Sequence, residues 1–387
     1  MKIQKTGLIL SGGGARAAYQ VGVLKAVHRI LPPSKHNPFD IISGTSAGGI
    51  NGLALASYAQ NYRQGIRQLE RIWRHFSCDQ VYRTDFWGIS NSLARMSRSL
   101  LIGRRYKNDP VSLLDNTPLR ELLQEAIHFD CLQPAIDSGA LYAVAVNASG
   151  IDSGESVSFF AGHPDIPDWE RQRRIGRRTE LTHDHLMASC AIPMIFPAIF
   201  LQDQYYADGA VRQLAPISPA LHMGAEKIMV VGVSAITYHY KPDVPDTTYP
   251  SPAKIMGHML NAAFLDSMET DIERLRRINK TLRHIPKAVR EHSDLALKPV
   301  QLLEISPSRS LDDLAAEHTD EVPQALRLAL RGSGNDEPDG EAGLISYLLF
   351  SEGYCRRLIR LGFEDAMAKQ AEIRDFFRDH FDDSQID

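Results

Sequence analysis

The sequence predicts an α/β protein built on a mainly parallel central sheet with helices on both faces, in three layers. Three observations carry this. The first fifty residues alternate strand and helix: Thr6–Leu10 is a compact apolar run, Ala17–Ile30 repeats Val21, Leu24, Val27 and Ile30 at helical spacing, and Phe39, Ile41 and Ile42 form a second apolar run. Each strand then turns into its helix through small residues, Gly12-Gly13-Gly14 after the first and Gly44-Thr45-Ser46-Ala47-Gly48 after the second. Further on, Ile228, Met229, Val230, Val231 and Val233 read as a strand buried on both faces.

The organising stretch is Ile41 to Ile50. The spacing Gly44-x-Ser46-x-Gly48 fits a nucleophile elbow, in which one hydroxyl sits on a tight strand-to-helix turn. Side chains two residues before and after the serine would collide with the adjoining strand and helix, so glycine is needed there. The serine is held at the carboxyl end of the sheet near the positive end of a helix dipole. The Gly12–Gly14 loop admits two functional readings. It loosely fits a dinucleotide fingerprint through Ala17, but Asp40 precedes the second strand rather than ending it, and that match is weak. Alternatively, its consecutive backbone N–H groups form an oxyanion hole, worth on the order of 3 kcal/mol per donor. A serine elbow directly after the next strand favours the second.

Along the rest of the chain, Tyr62 to Lys107 is basic with interleaved aromatics (Trp73, Phe76, Phe86, Trp87). It reads as a solvated helical face, or more sharply as a surface for anionic lipid head groups. Leu113–Ile127 reads as a helix capped by Asp115 or Asn116, Leu141–Val146 and Ser156–Phe160 as partner strands, and Trp169–Arg178 as a solvated Arg-rich patch. Leu181 onward reads as a helix stopped by Pro193, with His183 and His185 structural or solvated. A hairpin over residues 200–206 delivers Asp208 and Gly209 at a strand end. Ile217–Met223 is a short helix, Ala253–Leu282 a long amphipathic one, Gln301–Ile305 a strand, Gly332–Gly343 a loop, and Leu344–Leu361 a helix packed on the body.

Composition bounds the function. The 387 residues carry a net charge of −4, which gives no argument for nucleic acid. Cys78, Cys131, Cys190 and Cys355 have no metal or CxxC spacing and read as free thiols. The apolar run after Met1–Lys5 is too short for a secretory signal core, and no stretch is long enough to cross a bilayer. The expectation is a cytoplasmic protein that docks transiently on a membrane face. No metal or other cofactor is expected, and oligomeric state is left open.

Gly12-Gly13-Gly14-x-Arg16, Gly44-Thr45-Ser46-Ala47-Gly48 and Asp208-Gly209-Ala210, in that order, resemble the patatin-like phospholipase family. Ala188-Ser189-x-Ala191-x-Pro193 is similar to it as well, and the resemblance spans about Thr6 to Ser234. It implies a patatin-like catalytic domain over residues 1–240, with a basic, aromatic helical insertion at about 62–130. A mostly helical extension over 241–387 would carry one further strand. It also implies a Ser–Asp dyad: Ser46 as nucleophile, Asp208 as its base, and the N–H groups around Gly12, Gly13 and Gly14 as the oxyanion hole, with Arg16 beside them. The implied substrates are ester-linked fatty acids of phospholipids or lysophospholipids. An ordinary Asp, with a pKa of about 3.9, is a poor base near neutral pH, so the dyad requires desolvation of Asp208. A histidine triad in the order Ser…Asp…His is the mechanistic rival, with His222 ahead of His239 and His258. A lipid-binding or ligand-regulated signalling protein on the same fold is the alternative function, and a nucleotide-dependent enzyme using Gly12–Gly14 a further class.

Overall fold

The computed structural model describes residues 4–84, 112–235, 251–286, 288–289, 297–331 and 342–378. Phe86, Trp87 and the basic residues from Arg95 to Lys107 lie outside them, as do His239, the acidic C-terminal residues and most of the predicted Gly332–Gly343 loop. Among the described residues no helix is long and apolar enough to cross a membrane, and no group of His, Cys, Asp and Glu could hold a metal ion.

The chain opens with β1 (Thr6–Leu10), α1 (Ala18–Ile30), β2 (Ile41–Thr45), α2 (Ala47–Ser57) and α3 (Tyr62–Arg74). The sheet is completed by β3 (Ala143–Gly150), β4 (Ser156–Gly162), β5 (Trp169–Arg171), β6 (Arg174–Arg178), β7 (Ile199–Leu201), β8 (Gln204–Asp208), β9 (Lys227–Val231) and β10 (Gln301–Ile305). Its order is β10-β9-β1-β2-β3-β4-β6-β5, with the β7–β8 hairpin joined to β3. The first five strands of this order run parallel. β1, β2 and β9 are buried along their whole length, as expected for strands covered by helices on both faces. The two faces carry separate cores: Leu8, Leu10, Ile42, Val144 and Val146 on one, and Ile9, Ile41, Ala145, Ile228 and Val230 on the other.

The C-terminal part is continuous with this body. β10 extends the sheet beyond β9. Helix Glu352–Ala368 lies against α1, closely enough that a Cβ on Gly22 would sit 2.0 Å from the Ile359 carbonyl. α1 is consequently buried on nearly all sides, including Gln20.

Four elements differ from the sequence reading. Trp169–Arg178 keeps Arg171, Arg173, Arg177 and Arg178 exposed, as expected of a solvated patch, but is also folded as the β5–β6 hairpin: Trp169 packs across Gly176 and stacks on Phe160. The helix that opens at His183 ends at Ser189, four residues before Pro193; past its end the Ala191 carbonyl, which no helical N–H would reach, accepts the Asp208 N–H at 2.8 Å. The long amphipathic helix is present, but Pro252–Asn261 and Ser267–Arg283 are joined through a π-helical turn over Ala262–Asp266 rather than by regular α-helix. The predicted Leu344–Leu361 helix is two, Ala342–Leu348 and Glu352–Ala368, hinged at Leu349–Ser351.

Candidate active site

Ser46 occupies the bend between β2 and α2 with φ 54° and ψ −132°, a conformation that L residues rarely adopt and that marks stored backbone strain. Its surroundings fix it. Its carbonyl accepts the Gly49 and Ile50 N–H groups at 2.8 and 3.1 Å. Its own N–H donates to Ser189 Oγ at 2.8 Å, and Ser189 Oγ donates to the Asn147 carbonyl at 2.6 Å. The Asn147 amide donates to the Gly44 carbonyl and to Thr45 Oγ1. The turn closes onto β1 so tightly that a Cβ on Gly48 would lie 2.4 Å from the Leu10 and Ser11 carbonyls, while Gly44 faces the Gly48 carbonyl at 2.3 Å in the same sense. This is the steric requirement the motif spacing predicts.

Asp208 reaches Ser46 by way of β3. β2 pairs with β3 as far as Thr45 opposite Asn147. There β2 turns away into α2, and β8 takes over the vacated edge, pairing Asp208 with Ala148, Ala207 with Ser149 and Tyr206 with Gly150. Residues 46 and 208 therefore meet at consecutive positions along one strand. Asp208 is fully buried. Its Oδ1 accepts the Ala210 N–H at 2.9 Å, and Gly209 fits against the Asn147 carbonyl with no room for a side chain. Oδ2 has no formed hydrogen bond, although the Ser46 hydroxyl lies close enough to stabilise the carboxylate. Burial raises the Asp208 pKa from 3.8 to about 7, against the Ser46 hydroxyl and the Ala210 N–H, which pull it down. Burial and Asp208 push the neighbouring Cys190 thiol up, so it stays neutral beside Ser46.

The glycine loop lies over the same spot. A Cβ on Gly12 would come 3.2 Å from Ser46 Cβ and would strike the Phe264 ring at 2.5 Å, and one on Gly13 would strike Val233. Gly14 adopts φ 54°, and a Cβ there would meet the Tyr347 carbonyl at 2.2 Å. Arg16, expected beside an oxyanion hole, has its guanidinium committed to the C-terminal part. It donates to Ser346 Oγ and Asn261 Oδ1, pairs with Asp312, and lies 3.9 Å over the Tyr347 ring. Its backbone N–H bonds the Gly13 carbonyl at 3.1 Å. Arg16 thus anchors the loop from behind.

An almost wholly apolar cavity, narrow at about 40 Å³, runs from Ser46 and Gly14. Its walls come from α2 (Ile50, Ala54), α3 (Leu69, Ile72, Trp73) and helix Thr117–Ala126 (Leu119, Leu122, Leu123). Its apolar lining is of the kind that suits an alkyl chain.

The histidines stand elsewhere. His222 stacks on Trp169 at 5.1 Å, in the core on the far face of the sheet. His185 joins a capping box with Thr182 and packs edge-on against Phe159. His183 contacts the Leu123 carbonyl, and His258 is exposed. Ser189, Asn147, Phe264, Asp312 and Ser346 support the site without having been assigned that role from the sequence. Only Ser189 carried a signal, as part of the Ala188–Pro193 resemblance.

Replacing Asp312 by Asn should remove the carboxylate that pairs with the buried Arg16 guanidinium and lower stability by about 3 kcal/mol. Denaturant unfolding of the two proteins measures this, and an unchanged midpoint would mean that the pair contributes nothing to folding.

The patatin-like phospholipase family model matches residues 8–221, more than half of the chain and the stretch that contains the whole cluster. A cGAMP-activated phospholipase of Vibrio cholerae is 24% identical over 269 residues, covering 62% of this chain and 68% of that protein. A cGAMP-activated phospholipase of Escherichia coli is 26% identical over 214 residues, covering 53% of this chain and about half, 51%, of that one. Among solved structures, human GIVD cytosolic phospholipase A2 aligns with TM-score 0.45 and 16% identity over 97% of this chain and 59% of that one, a likeness too loose to weigh. Glycine loop, serine elbow and buried aspartate thus fall within a single matched domain, and the chain belongs to the patatin-like phospholipase family of lipid acyl hydrolases.

Proposed function

We propose that the chain is a serine acyl hydrolase that releases ester-linked fatty acids from phospholipids or lysophospholipids. The observation that carries this reading is the placement of a strained serine beside a buried, half-unpartnered aspartate at the head of an apolar cavity. Asp208 takes the proton of Ser46 Oγ as Oγ attacks the acyl carbonyl. The oxyanion is received by backbone N–H groups of the Gly12–Gly14 loop. The proton passes from Asp208 to the departing alkoxide, leaving an acyl-enzyme, and water activated by the same carboxylate then frees the fatty acid. His222 takes no part, because Trp169 holds it on the other face. Residues 241–387 serve the 1–240 catalytic unit by fixing the loop through Arg16.

Product analysis on defined phospholipids tests the reading. Ser46→Ala should abolish fatty-acid release, and residual release above about one part in a thousand would remove Ser46 from the nucleophile role. As a base Asp208 must be ionised, so kcat/KM should rise as pH climbs through about 7. A profile flat from pH 5 to 9 would contradict the assignment.

The same raised pKa has a stability sign. The folded protein holds a proton on Asp208 between pH 3.8 and about 7 that the unfolded chain has lost, so stability falls as pH rises through that window. Asp208→Asn should therefore be inactive yet more stable at pH 8, by up to about 4 kcal/mol, with no gain at pH 3.5. Thermal melts at the two pH values check this.

Leu122 is a half-buried residue of the cavity lining, where a larger ring would narrow the channel further. Leu122→Trp should lower kcat/KM for long-chain esters about tenfold and leave short-chain esters unaffected.

The names of the two bacterial relatives favour a second reading, in which this hydrolase waits for an activating nucleotide. Fatty-acid release measured with and without added cGAMP distinguishes a regulated from a constitutive enzyme.

A further inference from the structure

A second concavity, of about 1050 Å³, opens between the end of α1 and the start of α3. Lys25, His28, Arg29, Lys35, Arg63 and Arg67 line it. Lys25 is paired with Glu70 at 2.7 Å. Among the described residues Arg29, Lys35, Arg63 and Arg67 have no carboxylate partner. This concentration of positive charge stands in a protein of net charge −4, so it does not reflect a generally basic surface. Arg63 and Arg67 stand one helical turn apart on α3, a like-charge pair that destabilises a helix when no anion lies between them. The field converges inward: burial first, then Arg63 and Arg67, lower the His28 pKa below its ordinary 6.5. Leu31, Pro33 and Phe363 give the groove one apolar wall.

We propose that this groove is a binding site for a soluble small molecule carrying phosphate groups on an organic body. Arginine forks and lysine ammonium groups without internal partners match phosphate oxygens, and two phosphates would offset the four unpaired cations. The apolar wall suits the body that bears them. A lipid head group offers the same chemistry, but the position of the groove disfavours it. The Lys35 carbonyl accepts the Tyr62 N–H, and Asp40, a few residues on, bonds Thr6 at the start of β1. The groove thus lies at the amino-terminal edge of the parallel strands, whereas Ser46 and Gly14 lie at the carboxyl edge, about 20 Å away along α1 and α3. A membrane held against the groove would face away from the serine. α3 spans both places: its first turns supply Arg63 and Arg67, and its last turns supply Leu69, Ile72 and Trp73 to the acyl cavity.

The test is binding, so it stands or falls separately from the hydrolase reading. Isothermal titration with inorganic pyrophosphate and with ADP at 150 mM salt is compared with sedimentation on phosphatidylglycerol vesicles. The wild type and the Arg63→Glu/Arg67→Glu double variant are both measured; the two side chains are exposed and outside the catalytic cluster. The wild type should bind ADP with a Kd below about 1 mM, more tightly than pyrophosphate, and the double variant should bind at least roughly 20-fold more weakly. The circular-dichroism thermal melt should be the same in both, which shows that the variant is folded. No binding of either ligand by the wild type, equal binding by the variant, or binding to vesicles alone would overturn the proposal.

Discussion

The site depends on an exchange of partners along one strand. β3 is eight residues long, and no single neighbour covers the edge it presents toward β2. β2 supplies hydrogen bonds up to Thr45, then must leave because its chain enters a helix. The remaining backbone groups of β3 cannot stay buried and unpaired. β8 arrives antiparallel and satisfies them, and the residue it delivers at the junction is Asp208. The need to saturate a buried strand edge thus brings a carboxylate beside a hydroxyl 162 positions earlier in the chain.

That meeting costs stability, and the surrounding polar groups offset only part of it. A buried carboxylate with one bound oxygen and one free is held in its neutral form more strongly than in water. A single carboxylate thereby has a proton affinity in the range of an ordinary histidine. Ser46 is strained in its turn, held there by Ser189, Asn147 and the helix it starts. Both groups are kept away from their relaxed states by a neighbourhood that is itself well bonded, as expected where function conflicts with local stability.

The glycine loop has no such internal support, since consecutive glycines impose little order on themselves. Its order comes from the C-terminal part. Tyr347 closes over Gly14, Phe264 over Gly12, and Asp312, Ser346 and Asn261 hold Arg16 from the other side. The π-helical turn at Ala262–Asp266 carries Phe264 and follows directly on Asn261. A region that the resemblance left unassigned is therefore the wall against which the loop is set.

The opening strands, the serine elbow and the glycine positions were legible in the amino-acid order, because these are local. Turn sterics at Gly44 and Gly48 act over a few residues, and the apolar period of α1 and β9 is visible in any window of the chain. It also placed Asp208 at a strand end, through its Asp-Gly pair. What it could not express was any relation set by pairing or packing across the chain. The β5–β6 hairpin was hidden by its arginines, since strand formation there depends on Trp169 crossing Gly176. The π-helical turn that starts at Ala262 was hidden because apolar spacing continues through it. Asn261, Asp312 and Ser346, which the Arg16 guanidinium bonds, lie 245 to 330 positions away. The raised proton affinity of Asp208 is a property of its burial, and burial is decided only when β8 docks on β3.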